Sequence, residues 1–225
     1  GFVDDKGGYQ GYDLELAEEV AKRLGLEFVP QPINWDAKDM ELSSGNIDCI
    51  WNGFSMQGRE DKYSWVGPYM ANEQVFVVKD NSGIETLADL SGKAVEVQKD
   101  SSGLDALKEE ENKKLKESFS SLTEVADYNT ALMDLQSGAC DAVCMDSVVA
   151  GYQITNSEKK NPGSEEKMRI LSDTLSAEEY GIGFRKGEDE LAQSVRTVLL
   201  EMEKDGSTAE ISRKWFGEDD VFTLK

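Results

Sequence analysis

Hydrophobic positions in this chain fall into helical stripes and short solid runs, and the two kinds alternate. The cleanest stripe is Leu16, Ala17, Val20, Ala21 and Leu24, one face of a helix over residues 11–25. Acids crowd its first turn, bases its last, and Gly25 supplies the stop. Residues 26–29 read as a strand ended by Pro30 and Pro32. A short helix over 36–42 leads into a solid apolar run, and a helix over 130–136 leads into another. These two places echo each other. Ser44-Gly45-Asn46-Ile47-Asp48-Cys49-Ile50 returns in outline as Ser137-Gly138-Ala139-Cys140-Asp141-Ala142-Val143. Each copy is a helix that ends at a glycine and then a buried strand. Each strand closes on polar residues: Asn52, Gly53 and Ser55 in the first copy, Asp146 and Ser147 in the second.

Between 52 and 69 no period is sustained, and Gly53, Gly58, Gly67 and Pro68 stand among polar residues, which predicts a long loop. Strands are expected at 75–78, 94–97 and 180–184, the last bent by Gly181 and Gly183. Asp100-Ser101-Ser102 caps a helix to about 110, residues 147–154 are helical, and 156–167 form a polar surface loop. Helices over 189–205 and 208–215 finish the chain. Helix followed by buried strand is the grammar of an α/β sheet, whose ligands collect outside the carboxyl ends of the strands. A repeat of that unit implies two sheets, each offering a polar strand end to a shared cleft. The chain crosses between them twice, giving a discontinuous domain 1 (residues 1–78 and 182–225) and a domain 2 of residues 79–181.

Composition narrows the functions open to such a fold. At 225 residues the chain can bury substantial cores, and no run approaches the roughly 18 apolar residues of a membrane helix. It opens at Gly1-Phe2-Val3-Asp4, already inside a structured pattern, so any targeting segment is expected to have been removed or never to have been included. A formal charge of −21 argues against nucleic acid and against adsorption to anionic lipid. That charge serves as a solubilising surface or as a mild attraction for cationic small molecules. Histidine is absent, which excludes Ser-His and Cys-His catalysis and removes the commonest metal ligand. Cys140 and Cys144 lie about 13 Å apart along one strand, too far for a disulfide, and Cys49 sits in the other half. All three cysteines read as small core hydrophobes, and neither metal nor cofactor is expected.

A few polar residues remain as carriers of chemistry. Arg59, behind the first echo strand, could grip a carboxylate with two parallel hydrogen bonds, or be a surface arginine paired with Glu60 or Asp61. Asp146 ends the second echo strand, where a carboxylate suits an ammonium group, or it caps the helix that starts near Ser147. Ser101 and Ser102 begin a helix whose free N–H groups favour an anion, though serine caps are common. Trp35 is either a core residue or the aromatic wall of a pocket.

With these residues in place, the chain resembles the extracellular solute-binding proteins of polar amino acid ABC transporters. The resemblance is carried by Gly11-Tyr12-Asp13-Leu14-Glu15-Leu16 through Leu24, Ser44-Gly45-Asn46-Ile47-Asp48, and Arg59 with Pro68-Tyr69. Further along it takes in Gly92-Lys93-Ala94-Val95, Asp141-Ala142-Val143 with Asp146, Tyr180-Gly181-Ile182, and Asp205-Gly206 with Lys214-Trp215-Phe216-Gly217. These motifs stand in family order over essentially the whole chain. The resemblance implies that Arg59 binds the α-carboxylate of an amino acid, assisted by Ser102 and the helix start at Ser101. By the same likeness Asp146 holds the α-ammonium, the Gly53 carbonyl and Ser55 hydroxyl add contacts to it, and Trp35 lies against the ligand side chain. Two departures stand out. The segment from Gly53 to Arg59 is one residue shorter than the family pattern, and the strand and ligand-bearing loop that open family members are absent from this sequence. That strand lies centrally in the first domain's sheet, so upstream residues or a neighbouring chain are expected to complete it.

The expectation is therefore an α/β protein of the two-domain type II periplasmic-binding-protein fold, with a ligand cleft between two mixed sheets. It would close on a zwitterionic amino acid and deliver it to the membrane permease of an ABC importer. Its place would be extracytoplasmic, periplasmic or lipid-anchored through a removed N-terminal segment, with no direct membrane insertion by this segment. The alternative is an enzyme on the same fold, such as a dehydratase of a cyclic amino acid, which without histidine would need a carboxylate such as Glu73 as its acid or base.

Overall fold

The computed structural model describes residues 1–3, 6–160, 162 and 167–225. Its elements, in chain order, open with β1 (Phe2–Val3), β2 (Tyr9–Gln10), α1 (Tyr12–Leu24), α2 (Lys38–Ser44), β3 (Cys49–Ser55) and β4 (Ser64–Lys79). There follow β5 (Ala94–Gln98), α3 (Ser102–Ala106), α4 (Lys113–Ser118), β6 (Ser121–Val125), α5 (Tyr128–Ser137) and β7 (Ala142–Asp146). The chain continues through α6 (Ser147–Lys160), β8 (Met168–Ile170), β9 (Ser176–Phe184), α7 (Asp189–Asp205) and α8 (Ser207–Phe216). Two compact units result. Unit 1 is Gly1–Ile33, Ala37–Ala71 and Glu179–Lys225, and unit 2 is Asn34–Asp36 with Asn72–Glu178.

In unit 1, β3 pairs antiparallel with β9, and the register shifts between Ile50 and Phe54. The stripe of α1 turns Leu16 and Val20 inward, and α7 contributes Val195, Leu199 and Met202 to the buried set. Tyr12 meets Phe216 edge to face, with ring centroids 5.1 Å apart, and its hydroxyl lies 3.3 Å from Ser212 Oγ. Both echo helices stop as their glycines predict. Gly45 and Gly138 adopt φ of 80° and 84°, a left-handed cap that costs a residue without Cβ nothing.

Unit 2 is built on a mixed sheet. The β4 and β7 strands pair antiparallel, while β5 runs parallel to both β7 and β6. The solid apolar runs serve two faces at once. Phe76, Val78, Val95, Val97, Ala142 and Cys144 join one core with Leu104 and Leu107, while Val75, Val77, Val143 and Met145 join a second with Leu132 and Leu135. Helices cover both faces, so alternate positions are equally apolar and the period of two disappears from the sequence.

Several expected elements come out differently. Residues 26–29 form no strand: Leu26 and Val29 are exposed, and no described strand pairs with them. The long loop over 52–69 shrinks to 56–63, because β3 runs on to Ser55 and β4 begins at Ser64. A bulge at Gly53 and the Gly67-Pro68 pair inside β4 hid those strands, since both residue types ordinarily break one. The helix expected over 102–110 ends at Ala106, and the one expected over 147–154 runs to Lys160. Of the polar loop expected over 156–167, Asn161 and 163–166 lie outside the described residues.

Cys140 and Cys144 are buried, Cys49 is half-buried, and none is in a disulfide. Burial pushes the thiols of Cys49 and Cys140 up to about 12, and that of Cys144 higher still. Reaction with a maleimide or disulfide reagent needs the thiolate. All three thiols should therefore stay unlabelled in the native protein at pH 8 and react together once denaturant is added. Rapid native labelling of any one, read by mass spectrometry, would show an open path to it.

Candidate functional site

Unit 1 assembles its polar group around the bulge in β3. Gly53 has φ of +60°, and beyond it come Phe54, which is fully buried, and Ser55, which is 1% exposed. The backbone then turns, Arg59 N–H donating to the Met56 carbonyl at 3.0 Å. Arg59 is only 5% exposed, so the reading as a surface arginine is set aside. Its Nη1 donates to the Ser55 carbonyl at 3.2 Å, and its guanidinium lies 5.5 Å from the Phe54 ring centroid. Phe54, Tyr63 and Trp65 form an aromatic cluster with centroids 4.9–5.1 Å apart, and Trp65 Nε1 donates to the Arg59 carbonyl at 3.2 Å. A guanidinium held this way is pre-oriented, and its planar fork of donors matches a carboxylate.

Unit 2 ends β7 on Asp146, 6% exposed. Asp146 Oδ1 accepts from Asn72 Nδ2 and Gln74 Nε2, each at 2.8 Å, and Oδ2 accepts from the Tyr128 hydroxyl at 2.6 Å. The same two amide nitrogens also donate to Glu178 Oε1, at 2.5 and 2.8 Å. Two amides thus bridge two buried carboxylates. Turning both NH₂ groups toward the acids leaves Gln74 Oε1 buried without a hydrogen bond, and a Cβ added to Gly103 would stand 2.6 Å from it. Burial, then the Asp146 charge, raises the Tyr128 phenol well above its ordinary value, so it stays a donor.

The structure thus brings Gly53, Ser55 and Arg59 together in unit 1. In unit 2, Ser101 caps α3, its Oγ accepting from Leu104 N–H at 3.2 Å, and Ser102 is the first residue of that five-residue helix. Trp35 opens a short 3-10 turn, is half-buried, and is grouped with unit 2. Glu73, the acid named for the enzyme reading, is exposed.

Several polar residues of these two groups went unread in the sequence. Asn72 and Gln74 alternate on one face of β4, a period-two polar pair just ahead of an apolar run, which is a usable signal. Asp13 sat inside an acidic first helical turn, where the helix dipole accounts for it. Its partners are 40 and 56 residues away, Gly53 N–H at 3.0 Å and the Tyr69 hydroxyl at 2.7 Å, and nothing local marks them. Glu178 is likewise paired across long separations.

Known proteins share both sequence and fold with this chain. The L-cystine-binding protein TcyA of Bacillus subtilis is 32% identical over 210 residues, covering 93% of this chain and 73% of that protein. A substrate-binding protein of an ABC uptake transporter from Streptococcus pneumoniae, solved with bound histidine, superposes with a TM-score of 0.90 at 36% identity. That match covers 99% of this chain and 89% of the other. The structure of Tv2483 bound to L-arginine gives a TM-score of 0.87 at 32% identity, covering 99% and 87%. Residues 1–218 match the family described as bacterial extracellular solute-binding proteins, family 3, and the chain belongs to that family.

Proposed function

We propose that this protein binds one zwitterionic, polar amino acid outside the cytoplasm and delivers it to the membrane permease of an ABC importer. The observation that carries this reading is a pair of buried, hydrogen-bonded ionic groups of opposite sign, Arg59 in unit 1 and Asp146 in unit 2, in a chain of the solute-binding family. The α-carboxylate goes to Arg59, assisted by Ser102 and the α3 start at Ser101. The α-ammonium goes to Asp146, with the Gly53 carbonyl and the Ser55 hydroxyl as further acceptors, and Trp35 lies against the side chain. Only a ligand with both charges satisfies both units, so the loaded protein differs in free energy from the empty one, which a permease can recognise.

Relatives named for cystine, or solved with histidine or arginine, bound the ligand class, and a formal charge of −21 favours approach of its cationic members. No specific observation favours an enzyme.

A thermal-shift screen against cystine and the common amino acids tests the reading. A ligand present at about 100 times its Kd stabilises by about 2.7 kcal/mol, enough to move Tm by about 5–11 °C in a chain of this size. A shift from a few polar amino acids, and a clearly smaller one from their deaminated analogues, is the expected result. No shift from any amino acid, with calorimetry equally silent, would overturn it.

A further inference from the structure

Asp13 is an acid with no reason of its own to be buried. The favourable interaction of a first-turn carboxylate with the helix dipole does not require desolvation, yet Asp13 is only 7% exposed. Taking a carboxylate out of water costs several kcal/mol unless hydrogen bonds replace the lost hydration. Both oxygens are in fact engaged. Oδ2 accepts from Gly53 N–H at 3.0 Å and Oδ1 accepts from the Tyr69 hydroxyl at 2.7 Å. Tyr69 is fully buried, and burial, then the nearby Asp13 charge, holds its phenol well above the ordinary range. It therefore stays protonated and donates at every physiological pH.

Gly53 lies in the stretch between Ile50 and Phe54 where the β3–β9 register shifts, and its φ of +60° belongs to the left-handed region. An N–H displaced from the ladder by a bulge needs another acceptor, and Asp13 is that acceptor. The bond sets the tilt of the peptide plane leading into Gly53, and with it the Gly53 carbonyl and the Ser55 hydroxyl, while Arg59 is held separately by the turn at Met56 and the Phe54 ring. Tyr180 closes the other side: a Cβ added at Gly53 would stand 3.4 Å from its ring. The bulge is thus pinned by a charged acceptor anchored in α1 and locked from behind by Tyr69.

We propose that Asp13 is a positioning residue of the amino acid site, acting through Gly53 on the acceptors offered to the ligand ammonium. This rests on the reading above that the Gly53 carbonyl and Ser55 hydroxyl meet that ammonium. The inference predicts a loss confined to one end of the ligand. Asp13→Ala should weaken recognition of the ammonium and spare that of the carboxylate.

Calorimetric Kd values for three ligand pairs test this: L-histidine with 3-(imidazol-4-yl)propionate, L-arginine with 5-guanidinopentanoate, and L-cystine with 3,3′-dithiodipropionate. Each second member lacks only the α-ammonium, or in the cystine pair both α-ammonium groups. The wild-type protein should prefer the amino acid in at least one pair. For that pair Asp13→Ala should narrow the preference by about tenfold or more, as expected for loss of a charge-assisted hydrogen bond. Asp13→Asn keeps an oxygen for Gly53 N–H and should fall between, and Tyr69→Phe, which removes only the second bond, should lie near it. These two milder variants decide the matter if Asp13→Ala does not fold. Equal weakening of both members of the pair would make Asp13 a purely structural residue and overturn the inference, as would unchanged affinities. A wild-type protein that binds none of the six compounds would instead overturn the functional reading, and this inference with it.

Discussion

Arg59→Ala and Asp146→Ala should each weaken amino acid binding by about 100-fold or more while leaving the fold intact. Removing one partner of a desolvated charge pair costs about 3–5 kcal/mol, because the charge left behind stays buried and unpaired. Each 1.4 kcal/mol is a factor of ten in Kd, so the lower bound already exceeds 100-fold. Neither substitution strips a core. Arg59 donates one hydrogen bond to the Ser55 carbonyl and stacks on Phe54, and Asp146 accepts three from side chains. Arg59→Lys separates charge from geometry: an ammonium keeps the sign but loses the planar fork, so it should recover only part of the affinity. Calorimetry on variants with unchanged circular dichroism decides the matter. Affinity within threefold of the wild type in either alanine variant would remove that residue from the site.

How much of this was legible in the sequence depends on where each residue finds its partners. The α1 and α7 helices could be read almost to the residue, because stripe, terminal charges and glycine stops all lie within one short window. The echo worked for the same reason, each copy being a local helix–glycine–strand sentence. What escaped was set by distant neighbours. Residues 26–29 carry strand-like side chains, but a strand exists only where another chain segment takes its hydrogen bonds, and none among the described residues does so. In β3 and β4 the reverse happened, since tertiary pairing overrode the glycines and proline that spelled a loop. Arg59 and Asp146 stood out as candidates because each follows an echo strand. Asp13, Asn72, Gln74, Tyr128 and Glu178 did not, because their meaning lies in contacts made over tens to more than a hundred residues of separation.

Phe54 is where the packing of unit 1 and its chemistry meet, and its replacement should separate the two. Its ring contacts Tyr63 edge to face at 5.0 Å, lies 4.9 Å from Trp65, and passes under the Arg59 guanidinium. It also fills the space over Gly183, where an added Cβ would come within 2.7 Å of it, so β9 must be bare at that point. Phe54→Ala should cost about 3–5 kcal/mol of stability, the usual range for emptying a phenylalanine site in a close-packed core. Affinity should fall as well, because the guanidinium loses the surface that orients it. Phe54→Leu preserves most of the apolar volume and should cost appreciably less stability, about 1–2 kcal/mol. It still removes the ring face beneath Arg59, an interaction worth about 2 kcal/mol when desolvated, or roughly 30-fold in Kd if realised only with Arg59 held for the ligand. The expected pattern is therefore a leucine variant that melts near the wild type and binds clearly more weakly. Urea titration gives the first quantity and calorimetry the second. If Phe54→Leu binds as tightly as the wild type, Arg59 is oriented by its bond to the Ser55 carbonyl and by the turn at Met56, and the ring serves the core alone.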